Sequence, residues 1–431
     1  MGSTSIDRWQ REIEDLKRMG ANTVWYLPIQ FGQRTPADFT KAKGHWKLQM
    51  EIGQAIAGAG LKVGVYQGLN DVFPETLMEH PEWKAKSGKY FLEEAHACPS
   101  IPAAWDAVQS LREHFFSDLP RIDYLITPAT DYGGCSCDKC APWPAMYLKR
   151  FEEQAAICRR FHPDSKIVAA GHGITLDDED ELRKLVSRAA WVDYLADIPR
   201  AAGRPIIKYY MSPEITMLGG WGKFGPCPIL PTIERTYRKD VCGIGGHVPY
   251  SEGIHDDINK FACLRIAADR NSTARSVALE YARDWLGLTG AVADAVAGAI
   301  LGMGQPVSID RAYVDPENAS LDPTPDDRLE LLLRAQTNHP SVTQNHRYWL
   351  LVYRALYEAM SVASGRLDVD YLVQGLRACR SHLVRLEPEY GKFLSQLHPS
   401  FSPDKAEWVW PRGFHRAWHR ELALQKGGIE P

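Results

Sequence analysis

The sequence predicts an α/β fold, a (β/α)8 TIM-type barrel followed by an α-helical C-terminal domain, on three observations. Apolar, β-branched runs alternate with amphipathic helical segments over roughly the first 265 residues. The runs lack polar alternation, as parallel strands buried on both faces do. Beyond about residue 270 only helical periodicity remains. The chain of 431 residues accommodates a barrel of about 250 residues plus an appendage. The division is therefore read as 1–270 for the barrel and 271–431 for the helical domain.

Ile6, Trp9, Ile13, Leu16 and Met19 fall at helical spacing, with Ser5 placed to cap the start and Gly20 to end the helix. Thr23-Val24-Trp25-Tyr26-Leu27-Pro28-Ile29 follows as a buried strand. The unit then repeats, with a helix over 46–59, a strand over 61–66, a helix over 102–117 and a strand over 122–127. Further strands are read at 166–171, 191–196, 206–210 and 241–248, and further helices at 144–161, 178–188 and 255–268. Seven strands result, one short of a closed barrel. Either the first strand lies ahead of residue 1 or a later loop hides an eighth, and the layout favours the first. Helices at 272–286, 290–302, 326–336, 344–364 and 368–386 complete the chain, ahead of a tail carrying Trp408, Trp410 and Trp418 that reads as a docking segment.

The formal net charge is -4, from 50 Lys+Arg against 54 Asp+Glu, with no long run of one sign. Nucleic acid and anionic membranes are therefore not expected as partners. No segment is long and apolar enough to read as a membrane span. The first 20 residues enter a charged amphipathic pattern without an apolar leader core, so the expected location of the chain as written is the cytoplasm. A homodimer through the helical domain would be compatible, although no heptad-like seam points to it.

Nine cysteines, three of them within six residues, suggest a local metal cluster rather than a disulfide framework. Cys135-X-Cys137-X-X-Cys140 supplies three thiolates, and Cys98, in the loop after the preceding strand, is the natural fourth. Four thiolates would make a closed, structural zinc site with no position left for catalysis. Reduced, partly buried thiols or a local disulfide are the alternatives. No cofactor is expected to take part in catalysis.

In a barrel, the loops at the carboxyl ends of the strands build the active site. Asp131, just after strand 122–127, is the first catalytic candidate. Glu214 follows strand 206–210, and Glu252 follows strand 241–248. Carboxylates at one mouth suit glycoside cleavage, one protonating the leaving oxygen and the other attacking the anomeric carbon or activating water. Tyr132, His172, Tyr250, Asp71 and the loop residues Trp221 and Lys223 are candidate substrate contacts, through stacking, hydroxyl hydrogen bonds or proton donation. Arg34, Lys208 and Lys223 could pair with a sugar carboxylate. Asp256 and Asp257, in the first turn of a helix, read as complements to its dipole.

Asp131 followed by Gly133-Gly134-Cys135-X-Cys137-X-X-Cys140 resembles bacterial barrel proteins related to the hexosaminidase (family 20) and α-glucuronidase (family 67) glycoside hydrolases. Cys98-Pro99, Pro213-Glu214-Ile215-X-Met217 and Tyr250-Ser251-Glu252-Gly253-Ile254-X-X-Asp257-Ile258-Asn259-Lys260 carry the same resemblance in the same order, over residues 5–290. It implies a glycoside hydrolase on a (β/α) barrel, and with the carboxylates and the basic residues above the expectation is an exo-acting enzyme taking an acidic or N-acetylated terminal sugar. One departure matters. Family-20 enzymes carry an Asp-Glu pair where this chain has Asp131-Tyr132, so the resemblance gives a role to Asp131 alone. An inactive carbohydrate-binding barrel is the alternative it leaves.

Overall fold

The computed structural model describes residues 6–27, 46–86, 96–129, 134–172, 174, 176–198, 204–211, 228–240, 244–250, 257–269, 271–303, 324–361 and 369–387. The chain divides into two compact units, one formed by Thr4–Tyr209 and Cys242–Val248, the other by Met1–Ser3, Tyr210–Val241 and Pro249–Pro431.

The sheet holds seven strands in sequential order: β1 (Thr23–Tyr26), β2 (Lys62–Tyr66), β3 (Tyr124–Pro128), β4 (Lys166–Ala170), β5 (Tyr194–Ala196), β6 (Ile206–Met211) and β7 (Ile244–Tyr250). The ladders from β1 to β6 are parallel throughout. This is the order of consecutive strands in a (β/α) barrel, and all seven fall where the sequence places them. In the first unit the helices are α1 (Ile6–Met19), α2 (Trp46–Gly58), the short α3 (Pro74–Glu79), α4 (Pro102–Asp118), α5 (Trp143–Phe161) and α6 (Leu176–Arg188).

Strand side chains alternate between two apolar clusters because the strand period is two. One set, Val24, Val63, Val65, Leu125, Ile167, Ala169 and Leu195, packs against helix residues such as Ile13, Ile56, Phe116, Phe151 and Val186. The other set covers the opposite face of the sheet, and every strand contributes to it: Trp25, Tyr66, Ile126, Val168, Ala196, Ile207 and Val248 belong to one cluster. Burial on both faces also explains why the strands read as unbroken apolar runs.

Gly64 shows how tightly the interior is filled. It pairs with Trp25 across the β1–β2 ladder, and a Cβ at this position would collide with the Trp25 ring. Gly64→Val is expected to cost about 1–3 kcal/mol through overpacking, measured by urea unfolding, whereas a change under about 0.5 kcal/mol would show that the ring is free to move aside.

The amino ends of the strands are pinned by a repeated device. Asp123, just before β3, accepts the Val63 N–H at 2.8 Å, and Asp193, just before β5, accepts the Ile167 N–H at 2.8 Å. Arg121 and Arg159 hold the two carboxylates in turn. Such locks at the amino end serve stability and leave the opposite end to function.

The second unit contains α7 (Leu230–Asp240), α8 (Asp257–Ala268), α9 (Ala274–Glu280), which continues into a π-helical turn at Tyr281–Trp285, α10 (Gly290–Gly302), α11 (Pro325–Asn338), α12 (His346–Ser361) and α13 (Val369–Leu386). Helix α7 is absent from the sequence reading, although Leu230, Ile233 and Tyr237 form its buried stripe. Asp257 is buried at the start of α8, where Tyr281 Oη donates to it at 2.7 Å and Arg347 Nε at 2.9 Å. Burial alone would raise its pKa, but the Arg347 guanidinium outweighs that and holds it below the usual range. Among the described residues no helix is long and apolar enough to cross a membrane. The Trp-rich tail lies outside the described residues.

Candidate functional site at the carboxyl ends of the strands

The segment leaving β2 is buried and held from several sides. Arg112 of α4 donates through Nη2 to the carbonyls of Gly68 at 2.9 Å and Asp71 at 3.1 Å, and Gln154 of α5 donates to the Leu69 carbonyl at 2.6 Å. Burial pulls the Arg112 pKa down to about 10, with the Asp71 charge opposing, so the guanidinium stays cationic at neutral pH. Asp71 is buried. Its Oδ2 accepts from Gln67 at 2.7 Å, and its Oδ1 lies 3.0 Å from His96 Nε2.

Asn70 joins this segment to the one that follows β3. Its amide donates to the carbonyls of Ala97 at 2.8 Å and Gly134 at 3.0 Å, and its Oδ1 accepts the Gly134 N–H at 3.0 Å. Gly134 stands directly after Asp131-Tyr132-Gly133 in sequence, so Asn70 anchors the carboxyl side of the segment that bears the first catalytic candidate. The sequence places Asn70 in the loop after strand 61–66 without giving it a role, and His96 is not singled out by it.

The four cysteines converge beside this anchor. Cys98 Sγ lies 3.5 Å from Cys135 Sγ, 3.7 Å from Cys137 Sγ and 3.8 Å from Cys140 Sγ, and all four sulfurs lie within 4.8 Å of one another. A disulfide would need about 2.05 Å. A tetrahedral metal with sulfur at about 2.3 Å needs edges of about 3.8 Å, so the four thiols could hold one metal ion. Hydrogen bonds from the Cys135 and Cys140 thiols push the Cys98 pKa far down, and the same contacts push Cys140 up.

Beyond β4 and β5 a second pair is placed. His172 Nδ1 lies 3.8 Å from Asp197 Oδ2, and the two side chains are 40% and 35% exposed. Asp197, the residue after β5, takes φ 52, a left-handed conformation that costs a non-glycine residue about 1–2 kcal/mol. Gly171 fits against it. Its N–H extends the ladder to the Ala196 carbonyl at 2.8 Å, and a Cβ there would stand 2.8 Å from the Asp197 carbonyl oxygen. Burial raises the Asp197 pKa against the opposing His172 charge. Sequence reasoning missed Asp197, whose only linear signal is an aspartate directly after a strand.

A folded-state pKa above the ordinary 3.8 means that ionised Asp197 opposes folding. Its favourable contribution is complete below pH 3.8 and is lost as pH rises through the raised value. Asp197→Asn is thus expected to unfold at higher urea than wild type at pH 7, with the gap closing below pH 3.8; a less stable variant at pH 7 would contradict this.

Of the sequence-predicted site residues, His172, Asp71 and the four cysteines are placed as given above. Tyr250 is the last residue of β7. Lys208 lies on β6. Arg34, Asp131, Tyr132, Glu214, Trp221, Lys223 and Glu252 lie outside the described residues.

No protein-family profile matches the chain, and no curated protein matches it in sequence. Solved structures do match in fold. A GH138 enzyme targeting pectin rhamnogalacturonan II aligns over 98% of this chain and 63% of its own, with TM-score 0.54 and 10% identity. A family 89 glycoside hydrolase from Clostridium perfringens, in complex with 2-acetamido-1,2-dideoxynojirmycin, aligns over 98% of this chain and 59% of its own, with TM-score 0.50 and 9% identity. At these identities the likeness is one of fold. The chain spans about three-fifths of the length of each of these structures.

Proposed function

We propose that the protein is an exo-acting glycoside hydrolase that removes a terminal acidic or N-acetylated sugar at the carboxyl ends of its barrel strands. The observation that carries this reading is the fold likeness to glycoside hydrolases over 98% of the chain, combined with an aspartate three residues beyond β3 in sequence. Asp131 and Glu252 form the catalytic pair, with Glu252 as base or nucleophile and Asp131 as acid or substrate-orienting carboxylate. Glu214 is the substitute for either. Tyr132, Tyr250, Trp221 and His172 contact the sugar, and Arg34 and Lys223 meet a sugar carboxylate. Asp197, whose Oδ2 lies 3.8 Å from His172 Nδ1, stands at the same ends of the strands.

Chemistry of this kind needs no cofactor, and the reading gives the four cysteines a structural zinc. The C-terminal helices from residue 271 form a supporting domain. A catalytically inactive carbohydrate-binding barrel is favoured by one observation, the tyrosine at 132 in place of an acid. Incubating the protein with oligosaccharides that end in uronic, sialic or N-acetylhexosaminyl residues, in water enriched in 18O, separates the two. Hydrolysis places 18O at the anomeric carbon of the released sugar. Binding without any labelled product would favour the inactive barrel.

A further inference from the structure

We propose that Cys98, Cys135, Cys137 and Cys140 hold one zinc ion in a closed site that locks the segments leaving β2 and β3 into one rigid unit. The assignment does not depend on the glycosidase reading.

Three features carry it beyond cysteine spacing. The sulfur separations of 3.5, 3.7 and 3.8 Å about Cys98 match the edges of a tetrahedron built on zinc–sulfur bonds of about 2.3 Å. The backbone supports ligation, since the Lys86 N–H points at Cys135 Sγ at 3.4 Å and Ser136 N–H bonds to the Lys86 carbonyl at 2.9 Å. Cys140 and Ala141 N–H close a tight turn on the Cys137 carbonyl at 2.9 and 3.1 Å, which brings the sulfurs of Cys137 and Cys140 to one side. The Ser100 hydroxyl, 3.1 Å from Cys98 Sγ and 3.5 Å from Cys137 Sγ, completes an outer layer of donors. Four thiolates around a dication leave a net charge of about -2, and such donors offset it. Each thiol gives its proton to solvent on binding, and no electron is transferred.

Zinc is favoured over ferrous iron because it binds more tightly in the usual affinity order, and the metal analysis below tells the two apart. The consequence is mechanical. The metal joins 96–100 to 134–141, and Asn70 ties Ala97 and Gly134 to the segment after β2. Of these, 134–141 follows Asp131 in sequence by three residues.

Metal analysis by mass spectrometry of the full chain, purified without chelator, is expected to give about one zinc per chain. Reconstitution with Co2+ under reducing conditions is expected to give the thiolate charge-transfer band and intense d–d bands of a tetrahedral sulfur site. Cys140→Ser should lose zinc on dialysis against a chelator that wild type and Cys158→Ala withstand. Hydrogen exchange should rise in 96–101 and 134–141 on zinc removal and stay unchanged in 166–170. Iron in place of zinc, or less than one-tenth equivalent of metal with no cobalt bands, would overturn the assignment. Zinc retained by Cys140→Ser would do the same. Unchanged exchange on removal would overturn the locking role. None of these readouts uses turnover, so they stand or fall apart from the proposed enzyme activity.

Discussion

Glu358→Ala is expected to destabilise the helical unit by about 3–5 kcal/mol, a large share of the stability of any domain. Glu358 is fully buried on α12 and lies between two guanidiniums. Arg328 Nη2 of α11 donates to its Oε2 at 2.9 Å and Arg354 Nε to its Oε1 at 2.6 Å. The side chains of both arginines are at most 3% exposed. Removing the carboxylate takes away the counter-charge that the two buried cations share, and that penalty exceeds the net value of the pairs themselves. Burial already lowers the Arg328 pKa despite Glu358 beside it. Glu358→Gln keeps the shape and one acceptor and should fall between wild type and alanine. Hydrogen exchange of residues 325–361 reads the effect locally, which matters in a chain of two units where a single unfolding transition is not assured. A loss under about 1 kcal/mol would mean that the arginines reach solvent.

Glu252→Gln is expected to lower kcat by about 10²- to 10⁴-fold with folding intact, the range for removal of a general base, and further if Glu252 is the nucleophile. The amide retains size and hydrogen bonding but can neither accept the proton of an attacking water nor form a glycosyl ester. Asp131→Asn should act on the same step if Asp131 is the acid, and the two losses should then combine less than additively. If Asp131 orients the substrate instead, its loss should appear in KM as well as kcat. Thermal melting of both variants within about 2 °C of wild type would place the effect on chemistry rather than on the fold.

The seven strands were legible because parallel strands covered on both faces need apolar side chains at every position, which leaves runs such as Leu125-Ile126 and Ile167-Val168-Ala169 with no competing helical pattern. Helix α7 was not, because only Leu230, Ile233 and Tyr237 are apolar on its buried stripe and Pro231 makes its start look like more loop. The fourth cysteine of the cluster could be inferred, since loops after neighbouring parallel strands lie side by side, and Cys98 lies in the first of them. Pairing of side chains across loops could not. Asn70 looks like any loop asparagine until its three bonds to Ala97 and Gly134 are seen, and His96 carries no mark of its place beside Asp71. Asp197 depends on a backbone angle and on a packed Gly171, neither of which leaves a periodic signature.

The central claim is that carboxylates after the strands of this barrel cleave a glycosidic bond. It is tested most directly by assaying wild type, Asp131→Asn and Glu252→Gln side by side on aryl hexosaminides, uronides and sialosides. Wild type is expected to turn over at least one class, and both variants are expected to lose that turnover. Turnover that survives both substitutions, or binding of these sugars with no turnover by wild type, would contradict it.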